Sequence, residues 1–131
     1  MLSLTLPLPP SVNHYKKISI NGVPYSIKAY RAWKNEAGWL LKSQMMKVAH
    51  KKLIDDVTVA IVFERRGDLD NRVKPLLDLL VECGVMQDDK QVIRLLVEFG
   101  PIKGCEVSVD AFTGPWERLG IRPLTKQTES A

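Results

Sequence analysis

"VTVAIVFERRGDLDNRVKPLLDLLVECG", residues 57–84, changes its periodicity midway, and the change decides the fold class. Val57 to Glu64 is rich in β-branched residues and apolar at successive positions, as a central strand covered by helices should be. Beyond Asn71 the spacing becomes helical: Val73, Leu76, Leu77, Leu80 and Val81 fall on one stripe, which predicts a helix from about Lys74 to Cys83. Pro75 is tolerated only in a first turn, and Gly84 is placed to stop the helix. Between strand and helix stand two carboxylates, Asp68 and Asp70, flanked by Arg65, Arg66, Arg72 and Lys74.

Outward from this junction the other elements follow by the same reasoning. Leu2, Leu4 and Leu6 alternate with Ser3 and Thr5, the period of a half-buried strand, and the prolines of "PLPPS" end it. Asn21-Gly22 within "SINGVPY" predicts a small hairpin, because both residues tolerate positive φ. From about Lys28 to His50, Trp33, Ala37, Leu40, Leu41, Met45 and Val48 recur at helical spacing. Val92 to Phe99 and Cys105 to Phe112 read as two more strands joined by the turn "GPIKG". After Gly114 the periodicity is lost, leaving a polar tail, residues 114–131, with Trp116 as a candidate anchor. The expectation is one α+β domain, residues 1–113, with a mixed β-sheet and two main helices packed on it. The pattern leaves the strand order open.

With 131 residues, 45% hydrophobic and 26% charged, the chain has the make-up of one folded domain. No apolar run approaches the ~20 residues of a membrane helix, and the proline-broken N-terminus has no basic region of a secretory signal. A cytoplasmic protein is expected. Cys83 and Cys105 belong to no CxxC or Cys/His pattern and read as reduced, buried thiols. His14 and His50 have no partner at ligand spacing, and the aromatic residues Tyr25, Tyr30, Trp33 and Trp39 read as core before interface. The net charge of +4 favours a polyanionic partner, and the carboxylates remain as the candidate chemistry.

If the chain is still extended at Asp68 and Asp70, residues two apart project to one side, and Lys74 follows Asp70 at the i,i+4 spacing. A second acidic pair lies in "GVMQDDKQV". The helix is ~15 Å long at 1.5 Å per residue, and the extended segment after Gly84 spans ~16 Å, so a chain doubling back brings Asp88 or Asp89 level with Asp70. Carboxylates so gathered raise one another's pKa unless a cation sits among them, and an oxygen-only donor set points to Mg²⁺ or Mn²⁺. Such an ion supports phosphodiester hydrolysis, while the surrounding arginines and lysines neutralise neighbouring phosphates. The same residues also suit a plainer arrangement, with Asp70 or Asn71 capping the helix, exposed salt bridges around it, and Asp88 and Asp89 in a turn.

"GDLDNRVKPLLDLL" followed by "GVMQDDKQV" resembles the RusA family of Holliday junction resolvases, whose members carry D-x-D-N-x-x-K leading into a helix and D-D-x-Q-V after it. "LTLPLPPSVNHYK" resembles the family's opening, so the likeness runs from near residue 2 to about residue 98. The resemblance implies a homodimeric, Mg²⁺-dependent endonuclease, bacterial or phage-encoded, that resolves four-way DNA junctions by paired symmetric nicks. It maps the metal-binding carboxylates onto Asp68, Asp70 and Asp89, and the catalytic residues onto Lys74 and Asp70. Asp88 becomes a supporting or turn residue and Asn71 an orienting or capping one. Arg65, Arg66, Arg72, Asn13, Lys16 and Lys17 are candidate DNA contacts. Two competing readings are a non-catalytic DNA-binding module and a metal-dependent nuclease of broader branched or single-strand specificity.

Overall fold

Alternation in the N-terminal stretch produces the expected strand, β1 (Leu2–Leu6), with its three leucines buried and Ser3 and Thr5 exposed. The computed structural model describes residues 1–11 and 27–112. The hairpin expected at Asn21-Gly22, together with Asn13, His14, Lys16, Lys17, Tyr25 and the tail with Trp116, lies outside the described residues. The other elements are α1 (Ile27–Lys47), β2 (Val57–Glu64), a 3₁₀ turn (Asp70–Arg72), α2 (Val73–Glu82), a second 3₁₀ turn (Asp89–Gln91), β3 (Val92–Gly100) and β4 (Cys105–Ala111). No described helix is long and apolar enough to cross a membrane.

The four strands form one mixed sheet in the order β1-β4-β2-β3. β2 and β3 run parallel, so α2 is the crossover between them. β4 returns antiparallel to β2, and β1 pairs antiparallel with β4. The registers set Leu4 beside Val107 and Val107 beside Ile61. One face of the sheet therefore presents Leu2, Leu4, Leu6, Val57, Val59, Ile61, Phe63, Cys105, Val107 and Val109 to a single core with Trp33, Ala37 and Leu41 of α1 and Leu76, Leu79 and Leu80 of α2. The opposite face departs from the expectation of a strand covered on both sides: Thr58, Ala60 and Val62 are only half-buried. Both helices pack on the first face, as their shared core shows.

α1 stops three residues short of its expected end, because Ala49 turns to φ 51° and leaves Val48 exposed. Trp33 is buried with its indole N–H donating to the Pro7 carbonyl at 2.8 Å, and Tyr30 stacks on it. Trp39 corrects the core expectation, being 73% exposed. Both thiols are free; Cys105 is buried and Cys83 half-buried. Cys83 faces Gly38 where α1 meets α2, and Lys34 bridges to Glu82 at 2.8 Å across the same contact. His50 places Nε2 3.0 Å from the Val85 carbonyl.

α2 ends as its glycine requires. Gly84 adopts φ 86°, Val85 N–H donates to the Leu80 carbonyl at 2.9 Å, and Gly84 N–H to that of Val81 at 3.1 Å. This double closure satisfies two of the helix's terminal carbonyls and turns the chain back. Val85 and Met86 then plug into the core, and Leu53 pairs in parallel with Met86.

Candidate active site

The strand-to-helix junction does not stay extended. Gly67 takes φ 70° and Leu69 is α-helical (φ −62°, ψ −43°), so the alternation that would send Asp68 and Asp70 to one side is lost. Leu69 itself packs against the core. Asp70 opens the 3₁₀ turn that runs into α2. Neither acid nor amide caps that helix: its N-cap is Arg72, without a side-chain hydrogen bond. Asn71 instead donates from Nδ2 to Asp68 Oδ2 at 2.9 Å. The Asp70 carboxylate has no hydrogen-bond or ion-pair partner among the described residues. Lys74 pairs with Asp78 at 3.4 Å rather than with Asp70, and both side chains of that pair are well exposed.

The second acidic segment is held by residue types whose spacing carries the signal. Asp88 caps the turn Asp89–Gln91 by accepting from the Lys90 N–H at 2.9 Å. That hydrogen bond, with a contribution from the neighbouring Asp89 carboxyl, holds the exposed Asp88 carboxyl below the usual carboxylate range. Gln91 completes the reciprocal cap, accepting from the Gln87 and Asp88 N–H groups at 2.7 Å each. Its amide also donates to the carbonyls of Leu53 at 2.9 Å and Asp55 at 2.7 Å. Gln91 thus locks Asp89 against the β2 approach loop. The sequence reading gave this glutamine no role, although Asp-x-x-Gln is the capping-box spacing.

The chain that doubles back after Gly84 brings Asp89 to Asp70. Asp70, Lys74 and Asp89 line one cleft of 420 Å³, floored by Leu69, Val73, Leu77, Leu95 and Val97. Asp68 is not among its lining residues, so two of the three expected carboxylates share the cleft and the third is turned toward Asn71. Among the described residues no three His, Cys, Asp or Glu side chains gather closely enough to hold a metal ion. The cleft's two carboxylates nevertheless fit Mg²⁺. That ion keeps several waters and is commonly held by one or two carboxylates plus substrate phosphates, and no thiol or imidazole competes here.

The basic residues divide into two groups. Arg65 lies over the Phe99 ring at 5.7 Å, and Arg66 is exposed. Arg72, expected to face phosphate, donates instead to the Arg66 carbonyl at 3.3 Å and, by a short hydrogen bond, to the Pro9 carbonyl. Burial, then the charge of Arg66, lowers its pKa, with Glu64 opposing. Arg72 is therefore a tether from the start of α2 to the segment after β1.

The family model described as Endodeoxyribonuclease RusA matches residues 7–110, a span holding Asp68, Asp70, Lys74 and Asp89. The crossover junction endodeoxyribonuclease RusA of Enterobacteria phage HK97 is 30% identical over 118 residues, covering 89% of this chain and 88% of the relative. The protein of the same name from Escherichia coli K12 is 31% identical over 104 residues, covering 76% and 83%, and that of Shigella sonnei has the same identity and coverage. With most of its length matched by family model and relatives alike, and the acidic cleft inside that match, this chain belongs to the RusA endodeoxyribonuclease family.

Proposed function

We propose that the chain resolves four-way (Holliday) DNA junctions by paired symmetric nicks, as a Mg²⁺-dependent homodimer acting in the cytoplasm of a bacterium or a phage-infected cell. One observation carries the reading: within the family's domain, two loops remote in sequence deliver Asp70 and Asp89 to one cleft beside Lys74.

Asp70 and Asp89 would hold the ion, with Asp68, two residues before Asp70, as a further carboxylate and Mn²⁺ as a substitute. When bound, the ion supplies Lewis-acid stabilisation of phosphoryl oxygen and activates water. Lys74 sits on the cleft wall with only a weak, exposed partner, so its ammonium is available to bind the scissile phosphate and stabilise the negative charge that grows during cleavage. The apolar floor beneath lowers the local dielectric, which strengthens those charge interactions. Asn71 holds the Asp68 carboxylate in one orientation, and Gln91 fixes the Asp89 turn. Arg65 and Arg66, on the exposed run between β2 and the cleft, contact flanking phosphates.

The test compares wild type with Asp70→Asn on four-way, linear duplex and flap DNA, in Mg²⁺, Ca²⁺ and chelator. Nicking of the four-way junction should require Mg²⁺ and fall about a hundred-fold or more in the variant. Junction binding should persist or tighten, because a negative charge near phosphate is removed. Equal rates on all three DNAs would replace the resolvase reading with a broader nuclease. Unchanged nicking by Asp70→Asn would remove the cleft from the chemistry, and no nicking in any metal would leave a DNA-binding module.

A further inference from the structure

Lys74 stands between two carboxylates at equal spacing, Asp70 four residues before it and Asp78 four residues after. In an unbroken helix the better pair would join Asp70 to Lys74, because an acid N-terminal to its base is the favoured i,i+4 order. The structure makes the other pair, with Lys74 Nζ 3.4 Å from Asp78 Oδ1. The backbone at Arg72 is the reason: its φ of −106° and ψ of −4° part the 3₁₀ turn that holds Asp70 from the helical row that Lys74 and Asp78 share. Asp70 and Lys74 still line one cleft, and the Asp70 carboxylate has no partner among the described residues.

Asp78 also lies within reach of a second cation. Lys34 of α1 bridges to Glu82, one turn beyond Asp78 on α2, at 2.8 Å. That hydrogen bond raises the Lys34 pKa, burial opposes it, and the charges of Glu82, Tyr30 and Asp78 add smaller contributions upward. The Asp78 carboxylate is thus flanked by two ammonium groups, those of Lys74 and Lys34. An ammonium resting on Asp70 or Asp89 instead would occupy carboxylate oxygens that a divalent cation needs, and its charge would repel that cation. The Lys74–Asp78 pair keeps the ammonium elsewhere, and because the pair is exposed a phosphate can break it readily.

We propose that Asp78 is a positioning residue: in the DNA-free protein it holds the Lys74 ammonium off Asp70 and Asp89, leaving both carboxylates open to the divalent ion, and it yields the ammonium to the scissile phosphate. The inference rests on the metal site of the proposed function and adds a residue that acts on that site only through Lys74. It also sets an order. The ion enters an unobstructed pair of carboxylates first, and the lysine turns into the cleft when phosphate brings negative charge there.

Titration of the full chain with Mn²⁺ at low ionic strength and without DNA, with the free ion followed by electron paramagnetic resonance, tests this by a double-mutant cycle. Asp78→Asn should raise the Mn²⁺ dissociation constant about three-fold, because the released ammonium competes for the cleft carboxylates. In a Lys74→Met background the same change should leave the constant within about 1.5-fold, since no ammonium remains to be released. Asp78→Glu keeps a carboxylate at the i,i+4 position and should hold the wild-type constant, and the difference between wild type and Asp78→Asn should fade at high salt. Asp78→Ser, titrated alongside, replaces Asp78→Asn in the cycle if the latter fails to fold. An unchanged constant in the folded variant, an equal rise with Lys74→Met present, or a rise in Asp78→Glu equal to that in Asp78→Asn would overturn the role of Asp78 and leave the nuclease reading intact. A wild type that binds no Mn²⁺ without DNA would also overturn it, and the metal requirement of junction nicking, measured separately, would still judge the cleft.

Discussion

Gln91→Ala removes a side chain that touches no part of the cleft, yet it should damage both stability and catalysis. Four hydrogen bonds disappear: two acceptors for the N–H groups of Gln87 and Asp88, and two donors to the carbonyls of Leu53 and Asp55. Three are exposed, so water replaces them in part and each is worth about 0.5 kcal/mol; the half-buried bond to Leu53 is worth about 1 kcal/mol. The sum, about 2.5 kcal/mol, corresponds to a fall in Tm of about 8 °C for a chain of this size. Gln91→Glu keeps the acceptor but places carboxylate oxygen against two carbonyls, so it should forfeit at least half of that stability. Circular dichroism melts and urea titrations measure both. Asp89 opens the turn that Gln91 closes, so Gln91→Ala, assayed well below its melting point, should nick junctions about ten-fold more slowly, whereas Lys90→Ala should not change stability. A Tm loss under about 2 °C, or unchanged nicking by the folded variant, would refute the claim that this glutamine fixes the Asp89 turn.

Four further outcomes follow from single contacts. Gly84→Ala meets only the Lys52 Cε at 3.8 Å, so its cost is the strain of φ 86°, about 1 kcal/mol by urea denaturation. Arg72→Ala releases the Arg66 and Pro9 carbonyls and should lower stability by about 2 kcal/mol. Arg65→Ala should leave stability nearly unchanged and reduce the salt slope of junction binding by about one. Burial pushes the Cys105 thiol up to about 12 from 9.0, so its neutral form stabilises the fold fully below pH 9, and that contribution is lost between about pH 9 and 12. In that window wild type should lose stability faster with rising pH than Cys105→Ala, by about 1.4 kcal/mol per pH unit, and parallel curves would show the thiol titrating as if exposed.

The spans of β1 and β2 match their expected residues, Leu2–Leu6 and Val57–Glu64, and α2 departs by one residue at either end. These elements were legible because hydrophobic alternation and helical spacing are local properties of the chain. Gly84 was legible for the same reason, since a left-handed residue at a helix end is a local demand of the backbone. α1 was read too long because Val48 fits the apolar stripe, and nothing in that stripe records the left-handed turn at Ala49.

The candidate site was half legible. Residue types and spacing put Asp70, Lys74 and Asp89 within reach of one another, and they line one cleft. The fate of Asp68 depended on the backbone of Leu69, whose helical conformation withdraws one carboxylate from the pair. Arg72 looked like a phosphate contact until folding brought the Pro9 carbonyl to its guanidinium, and Gln91 looked idle until the loop at Leu53 and Asp55 was set against it. Periodicity along the chain decides which residues form strands and helices and which acids can approach one another. Strand order and the partners of Arg72 and Gln91 belong to the assembled sheet, because each depends on contacts between segments that only tertiary packing brings side by side.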